Sequence, residues 1–270
     1  MTTAVLVVSG LVLLVVALAM VVTALVARRV GRVSVVDVTW GLALLAAALV
    51  CAVVGPLVSD PDPWRSWVLV ALVAVSSGRL SWHLWRRSRG HGEDPRYTKL
   101  LGGELNDGHV GDAIRKVFVV QGVAVWLVSL PLQAAAVTDV RWTWLVWAGV
   151  AVWALGVVVE SVGDIQLSAY RALPRDQRPE VLDTGLWRYS RHPNYFGDAC
   201  LWWGIWLAGG LASGWLPALA SLVAPIAMTY FLAYATGARL LEQTMMGRPG
   251  YAEYAARTSM FVPWPPRSSR

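Results

Sequence analysis

The chain of 270 residues is 56% hydrophobic and only 15% charged, with a mean hydropathy of +0.52. Soluble domains carry about a quarter charged residues, so this composition excludes an ordinary soluble globule and points to a membrane protein. The net charge of +6 requires no nucleic acid, because basic loops facing anionic lipid account for it.

A membrane helix needs about 20 apolar residues, and the apolar runs predict about seven such spans. They fall near residues 4–27, 34–58, 64–85, 116–137, 142–169, 194–211 and 214–236. The first run has no basic leader and no small-residue cleavage site, so it reads as a retained anchor rather than a removed signal. Cys51 and Cys200 both lie in apolar runs with no CxxC spacing, which predicts buried small side chains.

Ionisable groups inside spans are costly and therefore candidate site residues. Asp37, in "VVDVTWG", sits in the first turn of span two, where a helix dipole also favours a carboxylate. Arg79, in "SSGRLSWHLW", either snorkels toward the interface or pairs with Asp37, and His83 shares its face. In span five, "VVVESVGDIQLSAY" carries Glu160 and Asp164 four residues apart, on one helix face, with Gln166 close by. Two like charges there make a poor structural device, so they predict a polar cavity that accepts hydrogen bonds.

The stretch "GLWRYSRHPNYFGD", Gly185 to Asp198, concentrates the most polar chemistry. Pro193 suits the first turn of a helix, so span six is expected to start there. Arg188, Arg191 and His192 would then sit at a helix N-terminus, which favours anions. Asn194, Tyr195 and Asp198 fall on the first turn. An interfacial anchor would explain Trp187, Arg188 and Arg191, but not Asn194 and Asp198. The tail, with Arg239, Glu242, Tyr251 and Tyr254, reads as an interfacial amphipathic helix or as a lid over the same site.

The loops set an expected orientation. Of 23 Lys and Arg residues, 20 fall in the loops of one side, Arg65 and Arg141 on the other, and Arg79 within a span. The positive-inside rule then predicts an N-terminus outside and a cytoplasmic C-terminus. The expected fold is an all-α, polytopic membrane protein of a single domain, 1–270, with its long polar loops and its site on the cytoplasmic face of the cell inner membrane. No G-x-G-x-x-G after a strand, Walker sequence, HExxH or Cys/His metal spacing occurs, and the 4 His are scattered. No metal site is expected.

The segments "GLWRYSRHPNYFGD", "VDVTWG", "GEDPRY", "ESVGDIQL" and "GYAEYAARTSMFVP" together resemble the bacterial DUF1295 proteins, relatives of the steroid 5-alpha-reductases and the sterol C14 and delta-7 reductases. The shorter pattern from "RHPNY" to the tail is also similar to isoprenylcysteine carboxyl methyltransferases. The reductase resemblance implies NADPH bound from the cytosol and reduction of an activated C=C bond in a lipid or steroid-like substrate. Arg191, His192, Asn194, Tyr195 and Asp198 match the sterol reductases' cofactor motif, and Glu160 and Asp164 fall near the expected nicotinamide ribose. Arg239, Glu242 and Tyr254 match a cofactor-closing segment, which makes 185–264 the most specific part. Asp37 falls close to a glutamate that contacts the substrate carbonyl in the steroid reductases. Those enzymes pair it with a tyrosine where this chain has Ser76.

Reduction of an enone leaves an enolate, so the site needs an acid near the oxygen. Asp37, protonated by burial, or Tyr195 would fill that role. Arginines would bind the cofactor phosphates bidentately. The rival reading is a SAM-dependent lipid or prenyl-thiol methyltransferase using the same loop. A third is a membrane scaffold or transporter. Neither the lipid substrate nor the oligomeric state is legible.

Overall fold

A computed structural model describes residues 2–235 and 237–267, without the side chain of Arg87. Two of the basic residues counted above, Arg270 and the Arg87 side chain, lie outside the described residues. The described chain is 76% helix with no strands. Its helices are α1 (Thr2–Val30), α2 (Val35–Ser59), α3 (Trp64–Ser88), α4 (Pro95–Leu101), α5 (Val110–Ala113), α6 (Val119–Val128), α7 (Leu130–Ala136), α8 (Thr143–Ala172), α9 (Pro193–Gly209), α10 (Trp215–Ser221), α11 (Val223–Tyr230), α12 (Ala238–Met245) and α13 (Tyr251–Arg257). Five helical runs are long and apolar enough to cross a membrane, and a bent pair raises the number to 6. The expected sixth span is α9, of 17 residues.

The bent pair is Val110–Val128 with Leu130–Ala136, at 44°. Pro131 explains the break, since it has no N–H to give to the preceding turn. A π-helical turn, Ile114–Phe118, joins α5 to α6.

The helices form two compact units. The first comprises 1–146 and 205–224. Within it α2 is central, packed against α1 and α3 and touching α6 and α7. In α1 the buried residues are Ala4, Val8, Val12, Val16, Met20, Thr23 and Ala27. This is one stripe at helical spacing. Most of the rest of α1 up to Val26 is apolar and exposed, as lipid contact requires. The buried face of α2 is wider and rich in alanine, including Ala43, Ala47, Ala48 and Ala52. Small residues let membrane helices approach closely. Ser81 Oγ donates to the Val38 carbonyl at 2.9 Å across the α2–α3 seam.

Arg65, counted with the outer side, lies in the first turn of α3 and is only 1% exposed. Its guanidinium donates to the Ala135 and Thr138 carbonyls at 2.9 and 2.6 Å and to Ser213 Oγ at 2.8 Å. The Ala135 carbonyl belongs to the last turn of α7, where a cation is favourable on both hydrogen-bond and dipole grounds.

The second unit comprises 147–204 and 225–270. Its framework is a glycine seam between α8 and α9. A Cβ on Gly156 would meet the Gly197 carbonyl oxygen at 2.6 Å, and one on Gly204 would meet that of Gly149 at 2.6 Å. Gly149, Gly156 and Gly163 recur every seven residues, as do Gly197 and Gly204. The seam brings the Glu160 backbone against the first turns of α9.

Candidate functional site

Pro193 opens α9, as the sequence predicts. The loop before it reaches this point through Gly185, whose φ of 59° is a left-handed conformation suited to glycine. Gln166 of α8 braces the loop by accepting the Leu186 N–H at 3.0 Å. Trp187 is not an interfacial anchor. It is buried, and its indole N–H donates to the Gly163 carbonyl at 3.1 Å.

Two polar groups meet at the head of α9. On the α8 side, Glu160 is buried and Asp164 half-buried. Asn194 Nδ2 donates to Asp164 Oδ1 at 3.0 Å. Asn194 Oδ1 is buried with no hydrogen-bond partner among the described residues.

The second group holds the C-terminal segment. Arg191 forks onto Glu242, with Nε to Oε1 at 2.6 Å and Nη2 to Oε2 at 2.9 Å. Its Nη1 donates to the carbonyls of Ala255 and Thr258 at 2.6 and 2.9 Å. His192 Nε2 lies 3.2 Å from Glu242 Oε1, and the His192 ring stacks on Tyr195 with centroids 5.6 Å apart. Tyr251 faces the same carboxylate at 3.5 Å. Tyr254 donates to the Trp187 carbonyl at 2.5 Å. Burial pushes both phenols up, Tyr251 to about 12, and the Glu242 charge adds to each shift.

Two backbone bonds and a serine hydroxyl then strap the tail down. The Arg191 N–H donates to the Ser259 carbonyl at 2.9 Å, Ser190 Oγ to Phe261 at 2.8 Å, and the Trp264 N–H to Tyr189 at 2.9 Å. The sequence expectation of a lid or an amphipathic helix misses this strap, because backbone pairing leaves no compositional trace. Asp198 is half-buried, while Arg188 and Arg239 are exposed.

Asp37 belongs to the first unit, and its partners are Arg96 and Tyr97. The Tyr97 hydroxyl donates to Oδ1 at 2.5 Å, and Arg96 Nη2 lies 3.4 Å from Oδ2. Burial and the neighbouring carboxylate push the Tyr97 phenol up. Gln121 Nε2 also donates to Tyr97 at 3.3 Å.

Every polar residue of "GEDPRY" is used here. Glu93 accepts from the backbone N–H groups of Val33 and Ser34, at the start of α2. Asp94 caps α4 by accepting the Arg96 N–H at 2.9 Å, and Pro95 takes the first helical position. Tyr97 as the partner of Asp37 was not expected from the sequence. The signal was the Asp-Pro helix start, which fixes where Arg96 and Tyr97 fall.

Among the described residues no three His, Cys, Asp or Glu side chains gather as a metal ion would require. Cys51 is buried and Cys200 half-buried, and both are free. The class of molecule is therefore an all-helical chain, with several helices able to cross a membrane and a buried polar cluster at one helix start. Over residues 5–258 the chain matches the family described as "Protein of unknown function (DUF1295)", and it belongs to that family. No curated protein and no solved structure matches it.

Proposed function

We propose that this protein is a membrane-embedded, NADPH-dependent reductase of an activated C=C bond in a lipid or steroid-like substrate. In this proposal the chain crosses the inner membrane about seven times, with α9 at the short end of the spanning range of about 17–25 residues. Its N-terminus is outside and its site cytoplasmic, as the basic loops favour.

The observation that carries the proposal is the packing of Glu160, Asp164 and Asn194 at the head of α9, within one unit with the Arg191–His192–Glu242 cluster. The donor set suits the cofactor. Two carboxylates can accept from ribose hydroxyls, and the buried Asn194 Oδ1 is an acceptor with capacity to spare. Arg188 and Arg239 have exposed guanidinium groups to meet phosphate oxygens. Arg191 and His192 would act mainly by holding the Glu242 and Tyr254 segment in place. Bound there, NADPH supplies a hydride to the beta carbon of the acceptor. The candidate to donate to the acceptor's oxygen within this unit is the Tyr195 hydroxyl, oriented by its stack on His192.

A SAM-dependent methyltransferase would use the same loop. The exposed arginines favour the phosphates of NADPH over zwitterionic SAM. Binding can be followed by energy transfer from the 16 tryptophans to the reduced nicotinamide. NADPH should bind, and Asp164→Asn with Glu160→Gln should weaken it by about tenfold, the loss of charge-assisted hydrogen bonds. Unchanged affinity in the double variant would remove these carboxylates from the site.

A further inference from the structure

Arg191, Arg257 and Arg267 line a cavity of about 310 Å³ within the second unit, together with Thr258, Ser259 and Trp264. Among the described residues no carboxylate lines it. The strap builds this cup by folding back on itself, since the Arg267 N–H donates to the Arg257 carbonyl at 2.9 Å. Arg191 forms part of its wall, with Nη1 on the carbonyls of Ala255 and Thr258.

The three guanidinium groups are not equivalent. Arg191 is neutralised by a nearly buried Glu242. Arg257 pairs with Asp183 at 2.5 Å, but those side chains are 44% and 39% exposed. Such a pair is worth little and can exchange partners. The Arg267 side chain is exposed, and Trp264 is 69% exposed. The cavity lining therefore includes two arginines with exposed side chains, Arg257 and Arg267, beside an exposed aromatic ring. Its size is at the small end of ligand sites, which run from about 300 to 1,000 Å³. It suits the end of a larger ligand.

We propose that this cavity binds a phosphate monoester through Arg257 and Arg267, with Trp264 alongside the group that carries the phosphate. A monoester carries a charge of about −1.5 to −2 near neutral pH, which two guanidinium forks match in charge and geometry. Two sources present this chemistry, a nucleotide with a ribose phosphate and a phosphatidic acid headgroup. The site does not depend on the reductase proposal, since either source satisfies it.

The test uses the full chain in detergent, titrated calorimetrically with adenosine 2′-monophosphate and with adenosine. A second arm uses mixed micelles doped with phosphatidic acid or with phosphatidylcholine. At least one phosphate monoester should bind while its matched control does not, and salt should weaken the binding. Arg267→Ala, at an exposed position, should fold normally and lose about tenfold in affinity, with Arg257→Ala behaving alike. Binding of the nucleotide alone, or of phosphatidic acid alone, supports the site and identifies its source. Failure of both phosphate probes, or wild-type affinity in Arg267→Ala, overturns it. Should NADPH and NADH then bind equally well, the phosphate site is wrong and the dinucleotide proposal stands.

Discussion

Glu242 accepts from Arg191 along two edges and lies beside His192, with the Arg191 and Glu242 side chains only 11% and 10% exposed. Removing one partner of such a pair strands a charge, so Glu242→Ala should cost about 3–5 kcal/mol of stability. A paired Arg191→Met, Glu242→Leu variant should recover most of that loss, and thermal melts of both proteins measure the difference. The Tyr251 phenol, raised to about 12 mainly by burial, gives a pH signature. It stays protonated in the fold, while an unfolded tyrosine titrates near about 10. Its contribution is complete below pH ~10 and is lost as pH rises through about 12. Melts across that window should fall less steeply in Tyr251→Phe than in the wild type. The partners explain why these roles were hard to read in sequence. Arg191 and His192 stood out by charge, yet Glu242 lies 51 residues from Arg191, and Tyr97 lies 60 from Asp37. Composition marks which residues are polar and leaves open which polar residue answers another.

The glycine seam of α8 and α9 works at the scale of the element. A methyl at Gly156 would press on the Gly197 carbonyl at 2.6 Å and the Leu201 N–H nitrogen at 2.9 Å. Backbone cannot step aside as a side chain can, so Gly156→Ala should cost about 1–3 kcal/mol by overpacking. Gly10, with nothing within 4 Å of an added Cβ, is the control. Gly10→Ala should melt at or above the wild-type temperature, since alanine is the better helix former. The seven-residue recurrence was present in the sequence, but it carries meaning only once two such runs face each other. Apolar runs are strong signals and marked the long helices well. The 44° break before Pro131 was absorbed into one span because the flanking residues are apolar on both sides. The strap is the element that sequence reasoning missed altogether. It rests largely on backbone groups of Tyr189 and Arg191 and on the Ser190 hydroxyl, which composition does not mark.

For the whole molecule, composition pointed to a membrane protein, and the family match bears out the DUF1295 part of the resemblance read in the sequence. The proposed chemistry rests on the polar cluster at the head of α9. A soluble cofactor that binds the folded chain stabilises it by mass action, by about 2.7 kcal/mol at a hundredfold excess over Kd. The most direct test is therefore a thermal-shift titration of the purified protein in detergent, with NADPH and SAM in parallel. The account predicts a melting temperature that climbs with NADPH concentration and does not move with SAM. A rise with SAM and none with NADPH would contradict it.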